Sequence, residues 1–275
     1  MSETFPDPAA VTEIIRQTAA REIMPRFRNL SDADIREKKA GELVTTADVE
    51  AENRLSADLM RLVPGSVVVG EEGAAANPSV INALGESDPV WVIDPVDGTQ
   101  NFADGTACFA VIIAYSVAGE IRAGWIHDPI ADETMWAIAG DGAWLDDDPL
   151  AGLDIPPIRE LTGTCGPKLR GRLEAAHRAG EDVPAPRQRL GCAGREYMDL
   201  VRRRFDFAVF AGRLKPWDHA AGALFHREAG GFNALMNGGG AYMAHPEPTG
   251  VPLLLAPDQA TWQTLQTVFS ENMNL

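Results

Sequence analysis

Residues 91–102 read Trp91-Val92-Ile93-Asp94-Pro95-Val96-Asp97-Gly98-Thr99-Gln100-Asn101-Phe102. The β-branched and aromatic run Val90–Ile93 predicts a short strand that ends directly on Asp94. Asp97 follows shortly after. Carboxylates at strand ends project from a rigid scaffold into a crevice, where sheets commonly carry their sites. Pro95 removes a backbone donor between the two acids and stiffens the turn. Gly98 and Thr99 lead into an expected helix start, whose unpaired N–H groups suit a phosphate. Asp94–Thr99 therefore combines two hard oxygen ligands with a phosphate cradle. Oxygen-only ligands suit Mg²⁺ over zinc or copper.

On the N-terminal side, Val67-Val68-Val69 is a second β-branched run, ending at Gly70 with Glu71-Glu72 directly after it. A helix is expected to start near Thr45–Asp48, where Thr45 and Asp48 resemble a capping box with Asp in place of the usual Glu. It carries Leu55, Leu59, Leu62 and Val63, and Pro64-Gly65 closes it. Residues 8–29 show helical spacing at Val11, Ile14, Ile15, Ala19 and Ile23, with Pro25 expected to kink or end the helix. Ser31–Glu42 between them reads as a charged loop.

On the C-terminal side, strands are predicted at Cys108–Ser116, Glu120–His127, Glu133–Ile138 and Ala143–Leu145. Turn signals at Ala118-Gly119 and Gly140-Asp141-Gly142 make this an antiparallel meander. Helices are expected over 169–178, 193–204, 217–229 and 258–270, with strands at Phe205–Phe210 and Leu253–Ala256 and a Pro-rich break at 183–186. Asp146–Pro157, rich in Asp and Pro, marks an expected split. It divides an α+β half over 1–150, holding the first acidic motifs, from an α/β half over 151–275 that completes the site. Trp217-Asp218-His219-Ala220-Ala221-Gly222 opens a late helix, with Asp218 where an N-cap is expected and small residues that allow close backbone approach.

The chain has 275 residues, 45% hydrophobic and 23% charged, which supports a core and excludes disorder as the main state. No apolar run of about 18 residues is present, so a membrane span is not expected. The net charge of −16 argues against nucleic-acid polymers and anionic membranes as partners. An anionic ligand can still bind if cations stand between it and the protein. The cysteines Cys108, Cys165 and Cys192 are widely separated and form no CxxC pair, against a disulfide framework or thiolate zinc site. The N-terminal Met-Ser-Glu-Thr-Phe-Pro-Asp-Pro does not read as a secretory signal, and a reducing cytoplasm is expected. His127, His177, His226 and His245 have no HxxH or HExxH context and read as structural or surface residues; His219 adjoins Asp218.

Taken singly, Glu71-Glu72 is a solvated turn, Asp94-Pro-x-Asp-Gly a backbone turn and Asp218 a helix cap. Taken together, the order is more specific. Leu43-Val44-Thr45-Thr46-Ala47-Asp48, Gly70-Glu71-Glu72, residues 91–102 and Trp217–Gly222 in that sequence resemble the inositol monophosphatase family of lithium-sensitive, magnesium-dependent phosphatases. The resemblance covers roughly residues 8–270. It implies a layered αβαβα fold mixing α+β and α/β character, a homodimer, and two or three Mg²⁺ ions that bind the substrate phosphate. Glu71 and Asp94 would hold the first metal with the backbone carbonyl of Val96. Asp94, Asp97 and Asp218 would hold the second, and Glu71 would help hold a third. Asp48 and Thr99 would position and deprotonate the attacking water, with Glu71 counted among the catalytic residues. Backbone N–H groups of Gly98 and Thr99 would hold phosphate oxygens, with Asp97, Ala193 and Asp218 also facing the substrate. Lys38 or Lys39 matches a lysine near the third metal, and spacing leaves the choice open.

Inositol-selective members carry an acidic residue seven positions before the aspartate of WDxAAG; here that position is Ala211. Gly191-Cys192-Ala193-Gly194-Arg195-Glu196 matches the family's GSAA-like substrate loop only loosely. Arg213-Leu214-Lys215-Pro216 adds positive charge suited to a second anionic group. The resemblance therefore leaves open histidinol phosphate, fructose 1,6-bisphosphate and 3′-phosphoadenosine 5′-phosphate beside inositol phosphate.

Charge counting supports metals independently. Asp48, Glu71, Asp94, Asp97 and Asp218 would place about five negative charges in one crevice, repelling one another and a phosphate dianion. Two Mg²⁺ supply +4 and three supply +6. No cysteine or histidine stands in a nucleophile arrangement near the motifs, so in-line attack by water without a covalent intermediate is expected. The alternative of another class is a metal- or phosphate-binding regulatory protein. The Asp48–Thr99 pair speaks against it, because a pure binder does not need to activate water.

Overall fold

The computed structural model describes residues 5–273 except 40, 151, 153, 154, 237 and 239. Part of the expected junction at 146–157 thus lies outside the described residues. Helix α1 (Pro8–Thr18) starts on Asp7, whose side chain accepts from the Ala9 amide, with Pro8 in the first turn. It passes into a π-helical turn, Ala19–Ile23, and ends ahead of Pro25 as expected. Residues read as a charged loop instead form a hairpin, β1 (Ile35–Lys39) and β2 (Glu42–Thr45). The strand Ile-Arg-Glu-Lys-Lys lacks the apolar alternation that marks a half-buried strand.

Helix α2 (Thr46–Leu62) buries Ala47, Ala51, Leu55 and Leu59. Next come β3 (Val67–Gly70), α3 (Glu71–Ala76), β4 (Pro89–Asp97) and α4 (Thr99–Ala103). The meander follows as β5 (Ala110–Val117), β6 (Glu120–Asp128), β7 (Glu133–Ile138), β8 (Gly142–Leu145) and β9 (Asp148–Leu150). These strands form one seven-stranded sheet in the order β3-β4-β5-β6-β7-β8-β9. Only the β3–β4 pairing is parallel.

The rest of the chain builds β10 (Thr162–Thr164), α5 (Pro167–Ala179), β11 (Ala185–Arg187), α6 (Ala193–Val201), β12 (Phe207–Phe210), α7 (Pro216–Glu228), β13 (Phe232–Leu235), β14 (Leu253–Ala256) and α8 (Gln259–Met273). Its sheet runs β11-β10-β12-β14-β13. Strands β9, β10, β11 and β13 were not legible beforehand, because each is short and most carry breakers. Pro186 lies in β11 within the expected break, and the strand is tolerated because it forms the sheet edge.

Successive residues on β4 and β5 point to opposite faces, and both faces are apolar because both are covered. Trp91, Ile93, Val111 and Ile113 pack with Val11, Ile15, Leu55 and Leu59 of α1 and α2. Val92, Ile112 and Ile126 pack with Tyr197 of α6, Leu224 of α7, and Phe210 and Leu255 of the second sheet. Leu169, Leu173, Leu265 and Phe269 of α5 and α8 cover the outer side, against Val209 and Leu254. The layers are therefore αβαβα, as expected.

Glycines set the close approaches. A Cβ at Gly124 of β6 would lie 2.8 Å from Ala221 Cα, and one at Gly222 would lie 2.2 Å from the Tyr197 ring. Helix α7 is thus seated directly on the first sheet and against α6.

Candidate active site

Strands β3 and β4 run in parallel with Gly70 opposite Ile93. The residues that follow, Glu71 and Asp94, therefore emerge side by side. The ladder from β4 to β5 is interrupted between Asp94 and Asp97, where Pro95 cannot donate. Asp218 arrives from the first turn of α7. One carboxylate oxygen from each of Glu71, Asp94 and Asp218 lies within 4.8 Å of the others. Asp218 does not cap α7 as expected: Lys215 holds the cap position and Pro216 opens the helix, which leaves the Asp218 carboxylate to the cluster.

Asp48 does two jobs. Its Oδ2 accepts from the Thr45 amide at 2.8 Å and the Thr45 hydroxyl at 2.6 Å, completing the capping box. Its Oδ1 faces Thr99 Oγ1 at 3.1 Å, and that hydroxyl also lies 3.0 Å from the Val96 carbonyl. Gly98 precedes Thr99 at φ +91°, where a Cβ would lie 3.0 Å from the Cys108 carbonyl. Asp97 stands beside the three clustered acids. Its Oδ2 accepts from the Gly194 amide at 2.6 Å and the Cys192 thiol at 3.1 Å, and the Ala193 amide adds a further contact. Ala193, expected at the substrate, thus turns its backbone donor toward Asp97.

Of the two lysines left open, Lys38 reaches the cluster. Its ammonium donates to Glu71 at 2.8 Å and to Glu72 at 2.9 Å. Lys215 Nζ lies 3.9 Å from Glu71. Glu72, quoted in the motif without a role of its own, shares the Lys38 ammonium with Glu71, and Glu52 was missed. The available signal for Glu52 was its place one helical turn after Asp48, on the same face of α2.

Burial raises every acid of the site that shifts. It lifts Asp48 to about 7 against the opposing hydrogen bonds from Thr45. Asp97 rises to about 6, again mainly by burial. Asp94 and Asp218 are raised well above the usual carboxylate range by burial, then by charges that include Glu71 and Asp97. Burial disfavours the Lys38 ammonium, yet Glu71 and Glu72 outweigh it and raise its pKa. The site holds more negative charge than its cations match, with oxygen donors only. That donor set fits hard divalent cations.

The loosely matched loop resolves differently from its sequence appearance. Glu196 is fully buried and accepts from Arg189, Thr164 and the Leu190 amide. Arg195 pairs with the buried Asp128. His219 faces inward, with Nδ1 3.1 Å from the Tyr197 hydroxyl. Ala211 is exposed just past β12. A cleft of about 770 Å³ beside Glu71 is lined by Lys38, Lys39, Arg213, Lys215 and Trp217, among others. Among the described residues no helix is long and apolar enough to cross a membrane.

Residues 7–268 match the inositol monophosphatase family. An inositol-1-monophosphatase of Mesorhizobium japonicum is 33% identical over 80% of this chain and 82% of its own length. The fructose-1,6-bisphosphatase/inositol-1-monophosphatase of Thermotoga maritima is 31% identical over 71% of this chain and 73% of its own. The structure of the T. maritima IMPase TM1415 superposes with a TM-score of 0.77 at 24% identity, covering 96% of both chains. The extragenic suppressor protein suhB of Bartonella henselae gives a TM-score of 0.74 at 25% identity, over 95% of this chain and 99% of that one.

Proposed function

The chain belongs to the inositol monophosphatase family of phosphoric monoester hydrolases, and from that premise we propose that it hydrolyses a small phosphorylated metabolite with two or three Mg²⁺ ions held by its clustered acids. The carrying observation is the convergence of Glu71, Asp94 and Asp218 from three separate segments into one group, with Asp94 buried and Glu71 and Asp218 half-buried. In this reading Glu71, Asp94 and the Val96 carbonyl hold one ion, Asp94, Asp97 and Asp218 a second, and Glu71 helps with a third. Such ions, when bound, offset charge on the phosphoryl and leaving oxygens and lower the pKa of water.

The chain's own residues supply the rest. Thr99 Oγ1 takes a proton from the attacking water and passes its own to Asp48 Oδ1. A buried carboxylate with one oxygen turned to the Thr99 hydroxyl is placed to act as the base of this relay. Because Oδ2 of Asp48 stays pinned by Thr45, Oδ1 is held in place for this transfer. The Gly98 and Thr99 amides, with Asp97, Ala193 and Asp218 around them, orient the phosphate for in-line attack. The water oxygen bonds to phosphorus as the ester P–O bond breaks, and the leaving alkoxide takes a proton from solvent.

Arg213, Lys215 and Lys39 along the cleft favour a substrate with a second anionic group, such as fructose 1,6-bisphosphate or 3′-phosphoadenosine 5′-phosphate. The double name of the Thermotoga relative supports that choice. Ala211 in place of an acid weakens the case for inositol selectivity. We also infer a cytoplasmic homodimer on the family resemblance; the cysteines, all free, suit a reducing compartment. Sedimentation at micromolar concentration tests the dimer.

The decisive measurement is phosphate release from inositol phosphate, histidinol phosphate, sugar bisphosphates and nucleotides, with Mg²⁺ and with EDTA. Turnover on at least one of them that requires Mg²⁺ is expected. No release from any, or release unaffected by EDTA, overturns the proposal.

A further inference from the structure

Glu52 is a carboxylate buried at 8% exposure with no cation paired to it among the described ion pairs. Its partners are two backbone amides. Oε2 accepts from the Glu72 N–H at 2.8 Å and Oε1 from the Gly73 N–H at 2.7 Å. These amides immediately follow Glu71, so the Glu52 carboxylate grips the chain where it turns from β3 into α3. The residue before the turn is shaped to the same group. A Cβ on Gly70 would lie 2.3 Å from Glu52 Cδ, although Gly70 has an ordinary extended backbone at φ −100°. Glycine is needed there for space rather than for a left-handed conformation.

Asp48 and Glu52 are one turn apart on α2, so a single helix face carries both the Thr99 partner and this grip. The α2 face and β3 thereby fix where the Glu71 backbone starts, and Lys38 donates to its side chain at 2.8 Å. We propose that Glu52 is a positioning residue that aims Glu71 at Asp94 and Asp218, so that the three acids are arranged for a divalent cation before one binds. The inference rests on the metal-dependent reading above. Groups that orient metal ligands commonly change metal affinity by about 10–100-fold when replaced.

The test measures Mn²⁺ binding to the full chain by the electron paramagnetic resonance of free Mn²⁺, alongside the Mg²⁺ concentration for half-maximal phosphate release. Glu52→Gln keeps the shape but turns an NH₂ toward one of the two amides. Glu52→Asp keeps the charge but is one methylene too short to span both. We expect each variant to bind Mn²⁺ about tenfold or more weakly, with half-activating Mg²⁺ raised in parallel. At saturating Mg²⁺, kcat should stay within about threefold of the original, since Glu52 does not touch the reacting atoms. A purely structural residue would lower the melting temperature while leaving Mn²⁺ affinity of the folded protein in place. If Glu52→Gln fails to fold, Glu52→Asp decides. Unchanged Mn²⁺ affinity in the folded variants overturns the inference. An original protein that neither binds Mn²⁺ nor releases phosphate overturns the metal-dependent reading instead.

Discussion

The Thr99 hydroxyl lies 3.1 Å from Oδ1 of Asp48, whose other oxygen caps the helix that carries it. The same side chain thus starts α2 and faces the Thr99 hydroxyl, which in the proposed mechanism activates the water. Thr99→Val removes the hydroxyl at nearly constant volume and should lower kcat by about 100-fold or more. Asp48→Asn keeps an oxygen for the cap and should lose a similar factor, while its melting temperature stays within a few degrees. Steady-state kinetics with calorimetry checks both, and a stable Asp48→Asn with near-original kcat would remove Asp48 from the mechanism.

The buried acids tie stability to pH. Asp48 and Asp97 rise from 3.8 to about 7 and about 6, and Asp94 and Asp218 shift the same way. Without metal, the folded protein keeps protons that the unfolded chain releases. For Asp48 and Asp97 the stabilising effect is complete below about pH 3.8 and lost as pH rises through about 6 to 7, and Asp94 and Asp218 act in the same direction. The melting temperature in Mg²⁺ minus that in EDTA should therefore widen by about 5 °C or more between pH 5 and pH 8. Asp94→Asn should abolish activity and shrink that gap.

Histidines act in the opposite direction. Burial lowers His127 to about 4, and His219 and His226 to about 3. Their contribution is present above about pH 6.5 and is lost as pH falls toward 4 and below. Between those limits His127 should cost about 1.4 kcal/mol per pH unit as acid is added. Urea unfolding of His127→Gln against the original at pH 6.5, 5.5 and 4.5 isolates this slope. Parallel curves would show that His127 does not titrate on unfolding.

Gly222 holds α7, and with it Asp218, against Tyr197. Gly222→Ala puts a methyl into the Tyr197 ring and should destabilise by about 2–3 kcal/mol in urea unfolding. Tyr197→Leu in the same chain should recover part of that loss, giving a non-additive cycle. Simple additivity would place the strain elsewhere.

Arg213 lines the cleft and is exposed. Arg213→Ala should lower kcat/KM for bisphosphates by about tenfold while leaving monophosphates within about twofold. Equal losses on both would count against a second anionic group.

The acids of the candidate site were legible because each stands beside a local signal: Glu71 after a β-branched run, Asp94 at the end of the Trp91–Ile93 run with Pro95, Asp48 in a capping box, Asp218 at the opening of the Trp217–Gly222 helix. The αβαβα layering followed from the family resemblance rather than from periodicity. The hairpin Ile35–Thr45 was hidden because its first strand, Ile-Arg-Glu-Lys-Lys, is charged along both faces and its second is only four residues long. Strands Thr162–Thr164 and Ala185–Arg187 were hidden because three residues containing Gly or Pro carry no period. Glu196 looked like a charged substrate-loop residue, and only tertiary contact with Arg189 and Thr164 shows it facing inward. Glu52 escaped because its only signal, a place one helical turn after Asp48, does not reveal that its carboxylate serves the Glu72 and Gly73 amides.

Lys38 already occupies an oxygen of Glu71. Occupation of that corner by a divalent ion is accordingly an exchange of one cation for another, not an arrival at vacant ground. In the proposed arrangement the ammonium would be displaced or shared, so the third ion, which Glu71 only helps to hold, should be the most weakly retained and the first to leave on dilution. The charged hairpin that carries Lys38 would thereby compete with any divalent ion for Glu71.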